Sequence, residues 1–151
     1  MNILQLLFAA LGTLGFLVIA QAPRRSWLIA SLIGGLGYLV YDVLVHLNVN
    51  APLAVFLGCL TACLLGQAAA RRTRMIASVY LTAAVIPEVP GLGLYRCMSL
   101  LGERDTAAGL AAGAEAMSEI LMIALAVAIS GYAARLVVHR LQQRQKRLSN
   151  G

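Results

Sequence analysis

Charge is what this sequence lacks most. Only 12% of its 151 residues are charged, six of them acidic, which is too few to cover the surface of a soluble domain. Cysteine is scarce too: Cys59, Cys63 and Cys97 are odd in number and lie in apolar stretches, so no closed disulfide framework is expected. Cys59 and Cys63 share a helix face one turn apart, but no His or acid joins them at metal-ligand spacing, and they read as small packing residues. His46 and His139 fall at opposite ends of the apolar runs, too far apart to cooperate. There is no Ser/His/Asp grouping in order, no His-Glu-x-x-His and no glycine loop closed by lysine. These absences argue against an enzyme, and no cofactor or metal is expected.

What is present is hydrocarbon. Hydrophobic residues make up 60% of the chain and mean hydropathy is +0.82, the composition of an integral membrane protein. Apolar runs extend over Asn2–Ala22, Trp27–Leu47, Pro52–Ala70, Met75–Leu101 and Gly109–Val138. Each is near or above the ~20 residues that cross a bilayer core, so the expected fold is all-α with five transmembrane helices. The last run is long enough to need tilt or a projecting end. Ala20-Gln21-Ala22 imitates a signal-cleavage site, but no basic residue precedes the first run and Arg24-Arg25 follow it, so it reads as a retained first span. No linker divides residues 1–151, which form a single five-span unit with a basic tail over about 139–151.

Five spans place Arg24, Arg25, Arg71, Arg72, Arg74, Arg135, Arg140, Arg144, Lys146 and Arg147 on one side. The positive-inside rule then puts the amino terminus outside and the carboxyl terminus in the cytoplasm. The net charge of +6 reflects that orientation, and no nucleic-acid partner is expected. The tail reads as a cytoplasmic anchor at the lipid surface.

The fourth run is interrupted. Ile86-Pro87-Glu88-Val89-Pro90-Gly91 removes two backbone donors and adds a glycine whose conformational freedom favours a break, dividing the span into half-helices Met75–Ile86 and Gly91–Leu101. In lipid such breaks survive where protein, ions or water satisfy the freed groups, and in transporters they form substrate sites. Elsewhere, small residues mark close helix packing: Gly58, Ala62 and Gly66 form one stripe, Gly109 and Gly113 another four-residue step. Gly34, Gly35 and Gly37 make the second helix thin and bendable.

Four acids, Asp42, Glu88, Glu115 and Glu119, fall within the spans, where a central charge costs ~2.5–3.5 kcal/mol even on the gentler insertion scale. They must face protein or water, or be protonated, and are the candidates for proton coupling. Glu115 and Glu119 share a face, and Glu119 and Glu88 are expected at similar depth, where acids from two helices converge. The structural alternative gives Glu88 to the amides freed by Pro87 and Pro90. Asp42 is nearer the outer end of its helix, where water is within reach. Tyr95 and Arg96 follow the break by a turn; Arg96 either pairs with Glu88 or an anionic substrate, or snorkels to the surface. The amino end of the second half-helix suits a carboxylate.

The stretch Thr82–Gly91, followed by Tyr95 and Met98, resembles the signature of the bacterial threonine/serine exporter family. Gly34-Gly35-x-Gly37, the Leu47–Asn50 turn and the five-span layout also fit. The chain is most similar to the small split form, which corresponds to the second half of full-length exporters and includes the membrane subunit of a two-component succinate exporter. The resemblance implies a separately encoded larger subunit carrying the other half, a small polar substrate such as threonine, serine or a C4-dicarboxylate, and the bacterial inner membrane. Pro87, Pro90, Gly91 and Tyr95 match as architecture, whereas the position of Glu88 is commonly apolar in the family. The expected function is therefore export by alternating access around the broken helix. The alternative is a non-transporting scaffold or regulatory subunit for a partner membrane protein.

Overall fold

A computed structural model describes the backbone over residues 3–149 and the side chains at 5 and 7–137. Among the described residues the chain is all-helical: α1 Ile3–Ile19, α2 Arg24–His46, α3 Ala51–Thr73, α4 Ala77–Val85, a single 3₁₀ turn Ile86–Glu88, α5 Gly91–Gly102 and α6 Thr106–Ser149. Three helices are long and apolar enough to cross a membrane: α2, α3 and α6 over Thr106–Val137. The α4 segment and α5 form a further apolar pair bent by 49°. The apolar described part of α1, Leu7–Ile19, is shorter than a standard span. The length anticipated for the last helix is realised: its 44 residues reach roughly 66 Å at ~1.5 Å per residue, about twice a ~30 Å bilayer core. The side chains of the basic tail lie outside the described residues.

Helix directions follow from residue pairs. Turns at 20–23 and 47–50 make α1, α2 and α3 run alternately up and down. Tyr80 of α4 packs on Gly66 and shares a 3.1 Å hydroxyl contact with Thr73, so α4 turns back along α3. Leu101, Cys97 and Gly93 of α5 meet Gly109, Gly113 and Ala116 of α6 in that order, which makes these two antiparallel. The Arg71 guanidinium donates to the Ala134 carbonyl, bringing the end of α3 beside the later part of α6. The 20–23 turn, the start of α4, Arg71 and Arg135 consequently gather at one end of the bundle.

The small residues set how closely these helices approach. A Cβ placed on Gly37 would lie 2.7 Å from the Ala62 Cβ, and one on Gly34 would lie 2.7 Å from Thr13 Oγ1 and 2.9 Å from the Ala83 carbonyl. Gly34, Gly35 and Gly37 therefore act as a contact surface on one continuous α2, where α1, α3 and α4 come together. The Gly58/Ala62/Gly66 stripe is buried, as expected of packing residues, and Cys59 and Cys63 are fully buried beside it. Lipid offers no hydrophobic drive between helices, so such close van der Waals contact carries much of the association.

Gly37→Ala is expected to push α2 and α3 apart and destabilise the fold by about 1–3 kcal/mol, as overpacking does. Gly12→Ala, with nothing within 4 Å of the added methyl, should be neutral. Thermal unfolding in detergent, followed by circular dichroism, compares the two.

Candidate functional site

The interruption in the bent pair is short and well defined. Pro87 lies in the 3₁₀ turn, Val89 is extended with ψ 126°, and Pro90 has φ −76° and ψ 59°. Those Pro90 angles are those of an inverse γ-turn, closed by the Gly91 N–H donating to the Val89 carbonyl at 2.7 Å. The break thus comes from the two prolines. Gly91, expected to supply unusual backbone angles, has no positive φ and simply opens α5, with empty space where its side chain would be.

The turn carries Glu88 into the bundle. Its side chain is 5% exposed, and neither carboxylate oxygen has a hydrogen-bond partner among the described residues. Room for it comes from glycines on two other helices: a Cβ on Gly58 would lie 2.8 Å from Glu88 Oε1, and one on Gly37 3.4 Å from the same atom. The Gly37 carbonyl, 3.0 Å from the Gly58 Cβ position, and the Gly58 carbonyl, 3.4 Å from that of Gly37, border the same gap. Carbonyls accept hydrogen bonds and cannot donate them, so this cradle offers a carboxylate no direct compensation. Neither of the two partners considered for Glu88, the freed amides or Arg96, is bonded to it.

Around the cradle stand polar groups that spacing along the chain does not reveal. Tyr38 and Tyr41 of α2 and the thiols of Cys59 and Cys63 of α3 lie within Coulombic range of Glu88. Tyr38 and Tyr41 rings pack with centroids 5.7 Å apart. Tyr41 is also within range of Glu119 and of its chain neighbour Asp42. Glu88 and Glu119 each lie within range of Tyr41, and the expected direct convergence of the two acids is not among the contacts of either. Glu119 is half-buried on α6, with Glu115 one turn earlier and exposed. Asp42 sits at the end of α2, its Oδ1 3.6 Å from His46 Nδ1, which donates to the Asp42 carbonyl at 2.7 Å.

Tyr95 and Arg96 do not join this cluster. Tyr95 is 69% exposed and Arg96 is also on the outer face of α5, because Gly93, Cys97 and Leu101 turn the opposite face onto α6. The surface-facing alternative for Arg96 is the one the packing gives. Pro87 and Pro90 are half-buried at the edge of the cradle. Two cavities, of about 770 Å³ and 210 Å³, lie toward the basic end, and Glu88 lines neither. Among the described residues no group of three or more His, Cys, Asp and Glu side chains could hold a metal ion.

Comparison with known proteins bears on what such a site belongs to. A family profile described as "Threonine/Serine exporter, ThrE" matches residues 5–133. An uncharacterized protein of Haemophilus influenzae is 27% identical over 93 residues, a stretch that is 62% of this chain and 31% of that protein. No solved structure matches the chain.

If Glu88 occupies the space left by Gly58, the two positions must be energetically coupled. Gly58→Ala is expected to destabilise the fold, and Gly58→Ala combined with Glu88→Ala to recover about 0.5–3 kcal/mol of the summed single losses. Unfolding midpoints of the four proteins give the coupling, and strict additivity would remove the cradle from the account.

Proposed function

Since this chain belongs to the threonine/serine exporter family, we propose that it is the membrane subunit of a two-component exporter of small polar metabolites, of the threonine, serine or C4-dicarboxylate class. Its partner is a separately encoded larger subunit carrying the other half of the transporter. In this reading α1, α2, α3, the α4–α5 pair and α6 are five crossings of the bacterial inner membrane. The basic end lies in the cytoplasm and the amino terminus outside. What favours this orientation is the gathering of the 20–23 turn, Arg71 and Arg135 at one end, together with the preference of short cytoplasmic segments for arginine. The Haemophilus relative, of which the match covers 31%, has length to spare for a second set of spans, which fits a two-half design.

The observation that carries the proposal is Glu88: buried, without a hydrogen-bond partner among the described residues, and placed on the break of an interrupted helix. Charge there is expensive, so gain and loss of a proton changes how well the turn fits between Gly37 and Gly58. The two halves of the interrupted crossing pack on different neighbours, α4 on α2 and α3, and α5 on α6. A hinge at Val89–Pro90 would let α5 move with the early part of α6 while α4 stays fixed. Alternating access then amounts to opening this seam from one side at a time, with Glu119 and Glu115 on the moving side and Asp42 on the fixed one. The free amides at the start of α5 suit a substrate carboxylate, with Tyr95 and Arg96 facing the partner half.

Efflux of labelled serine, threonine and succinate from loaded cells tests the reading for this chain alone, for the chain with its partner, and for the pair carrying Pro90→Ala or Glu88→Gln. Efflux is expected only from the pair and should fall about tenfold or more in each variant, a loss of ~1.4 kcal/mol or more in transition-state terms. Glu88→Gln that assembles and transports as the parent does would make Glu88 a structural acid. Full efflux by the chain alone would end the two-component reading.

A further inference from the structure

The cavity of about 770 Å³ between α3, α4 and α6 takes no part in the seam described above. Its size falls in the ~300–1,000 Å³ range of pockets that enclose small organic ligands. Met75, Leu81 and Val127 make apolar walls, while Gln67, Arg71 and Arg135 are its polar lining. Arg71 reaches across to the Ala134 carbonyl, so its guanidinium is held at the junction of α3 and α6 with donors to spare. The counter-charge for these arginines is missing from this end of the molecule. Of the six acids, Asp42 is at the far end of α2, Glu103 and Asp105 are in the α5–α6 turn, Glu115 and Glu119 are in the first half of α6, and Glu88 is in the central break. Residues 136–151 contain no acid either.

We propose that this groove is a seat for one anionic phospholipid, with the phosphate held by Arg71 and Arg135 and an acyl chain lying along Leu81 and Val127. Two features select a lipid over a soluble anion. The walls beyond the arginines are apolar and are flanked by exposed Ile76 just before α4 and Leu125 and Ile129 of α6, where a free anion would gain nothing. The groove also opens at the basic end, which the positive-inside rule places against the leaflet rich in anionic headgroups. Guanidinium groups bind phosphate oxygens in a bidentate fork and, unlike lysine, keep their charge when partly desolvated. A lipid seated there bridges α3, α4 and the later part of α6, and its binding does not depend on what the protein transports.

The test uses the full chain in detergent, with native mass spectrometry and thermal unfolding as readouts. The probes are phosphatidylglycerol, phosphatidylcholine of the same acyl chains, and sn-glycerol 3-phosphate. Phosphatidylglycerol is expected to remain bound and raise the unfolding midpoint, more strongly than phosphatidylcholine. Arg71→Gln and Arg135→Gln should each weaken that preference about fivefold, and the corresponding lysine variants should restore part of it. Ala128→Trp, which fills the groove and leaves both arginines, should displace the lipid while helical content stays unchanged. Equal retention of the two lipids would overturn the proposal, as would displacement of phosphatidylglycerol by sn-glycerol 3-phosphate at matched concentration. A preference that survives both arginine variants but is lost in Arg24→Gln/Arg25→Gln would place the lipid elsewhere and overturn it too.

Discussion

The structure depends on the absence of side chains where α2 crosses α3. At Gly37 and Gly58 the two helices come so close that a single methyl on either would meet Ala62, a backbone carbonyl or the Glu88 carboxylate. Because lipid supplies no hydrophobic drive between helices, that contact surface is one of the few sources of association available to this bundle. The same gap admits the 3₁₀ turn of the bent α4–α5 pair. Of the residues at the break only Glu88 is enclosed by protein, while Val89 and Gly91 are exposed and Pro87 and Pro90 half-buried. Close packing and the helix break are thus one arrangement: the glycines create the space, and the prolines supply a turn short enough to occupy it.

Into that space the chain inserts a carboxyl group rather than a methyl. An apolar side chain at position 88 would be the inexpensive choice in a cradle lined by glycine and carbonyl oxygen. An acid with both oxygens unbonded is instead a group whose fit depends on its charge. Tyr41 extends this dependence outward, since it stands within range of Glu88, Glu119 and Asp42 and links the break to α6 and to the far end of α2. A change at any of these acids alters the field felt at the Tyr41 hydroxyl.

Much of this was legible in the sequence for a physical reason. Proline and glycine act through the backbone at their own positions, so the break at Pro87–Pro90 needs no knowledge of tertiary neighbours. The Gly58/Ala62/Gly66 and Gly109/Gly113 stripes likewise report a face of a single helix. The cradle was not legible, because Gly37 and Gly58 are 51 and 30 residues away from Glu88 and nothing local links them. Nor was the outward aspect of Tyr95 and Arg96, which is set by the rotation of α5 on α6. There a signal did exist: Gly93, Cys97 and Leu101 repeat at four-residue spacing opposite the Gly109/Gly113 step, and reading the two together fixes which face of α5 is turned inward. The length of α1 differed as well, since turn formation from Ala20 onward ends the helix before its apolar run does.

The interruption matters most through what it separates. A continuous helix from Ala77 to Gly102 would bind α4 and α5 into one rigid rod, whereas α6 reaches α3 directly, through their shared contact face and the Arg71–Ala134 hydrogen bond. Bending by 49° at the break instead assigns α4 to one set of neighbours and α5 to another, joined by the few residues around Val89 and Pro90. At those joints the helical ladder is already interrupted, because the prolines have removed its donors, so the bend itself breaks no further hydrogen bond. Glu88 sits at the boundary, fixed by the cradle of one set and attached by chain to the other. Its charge therefore acts at the junction of α4 and α5, where the two prolines have already interrupted the helix.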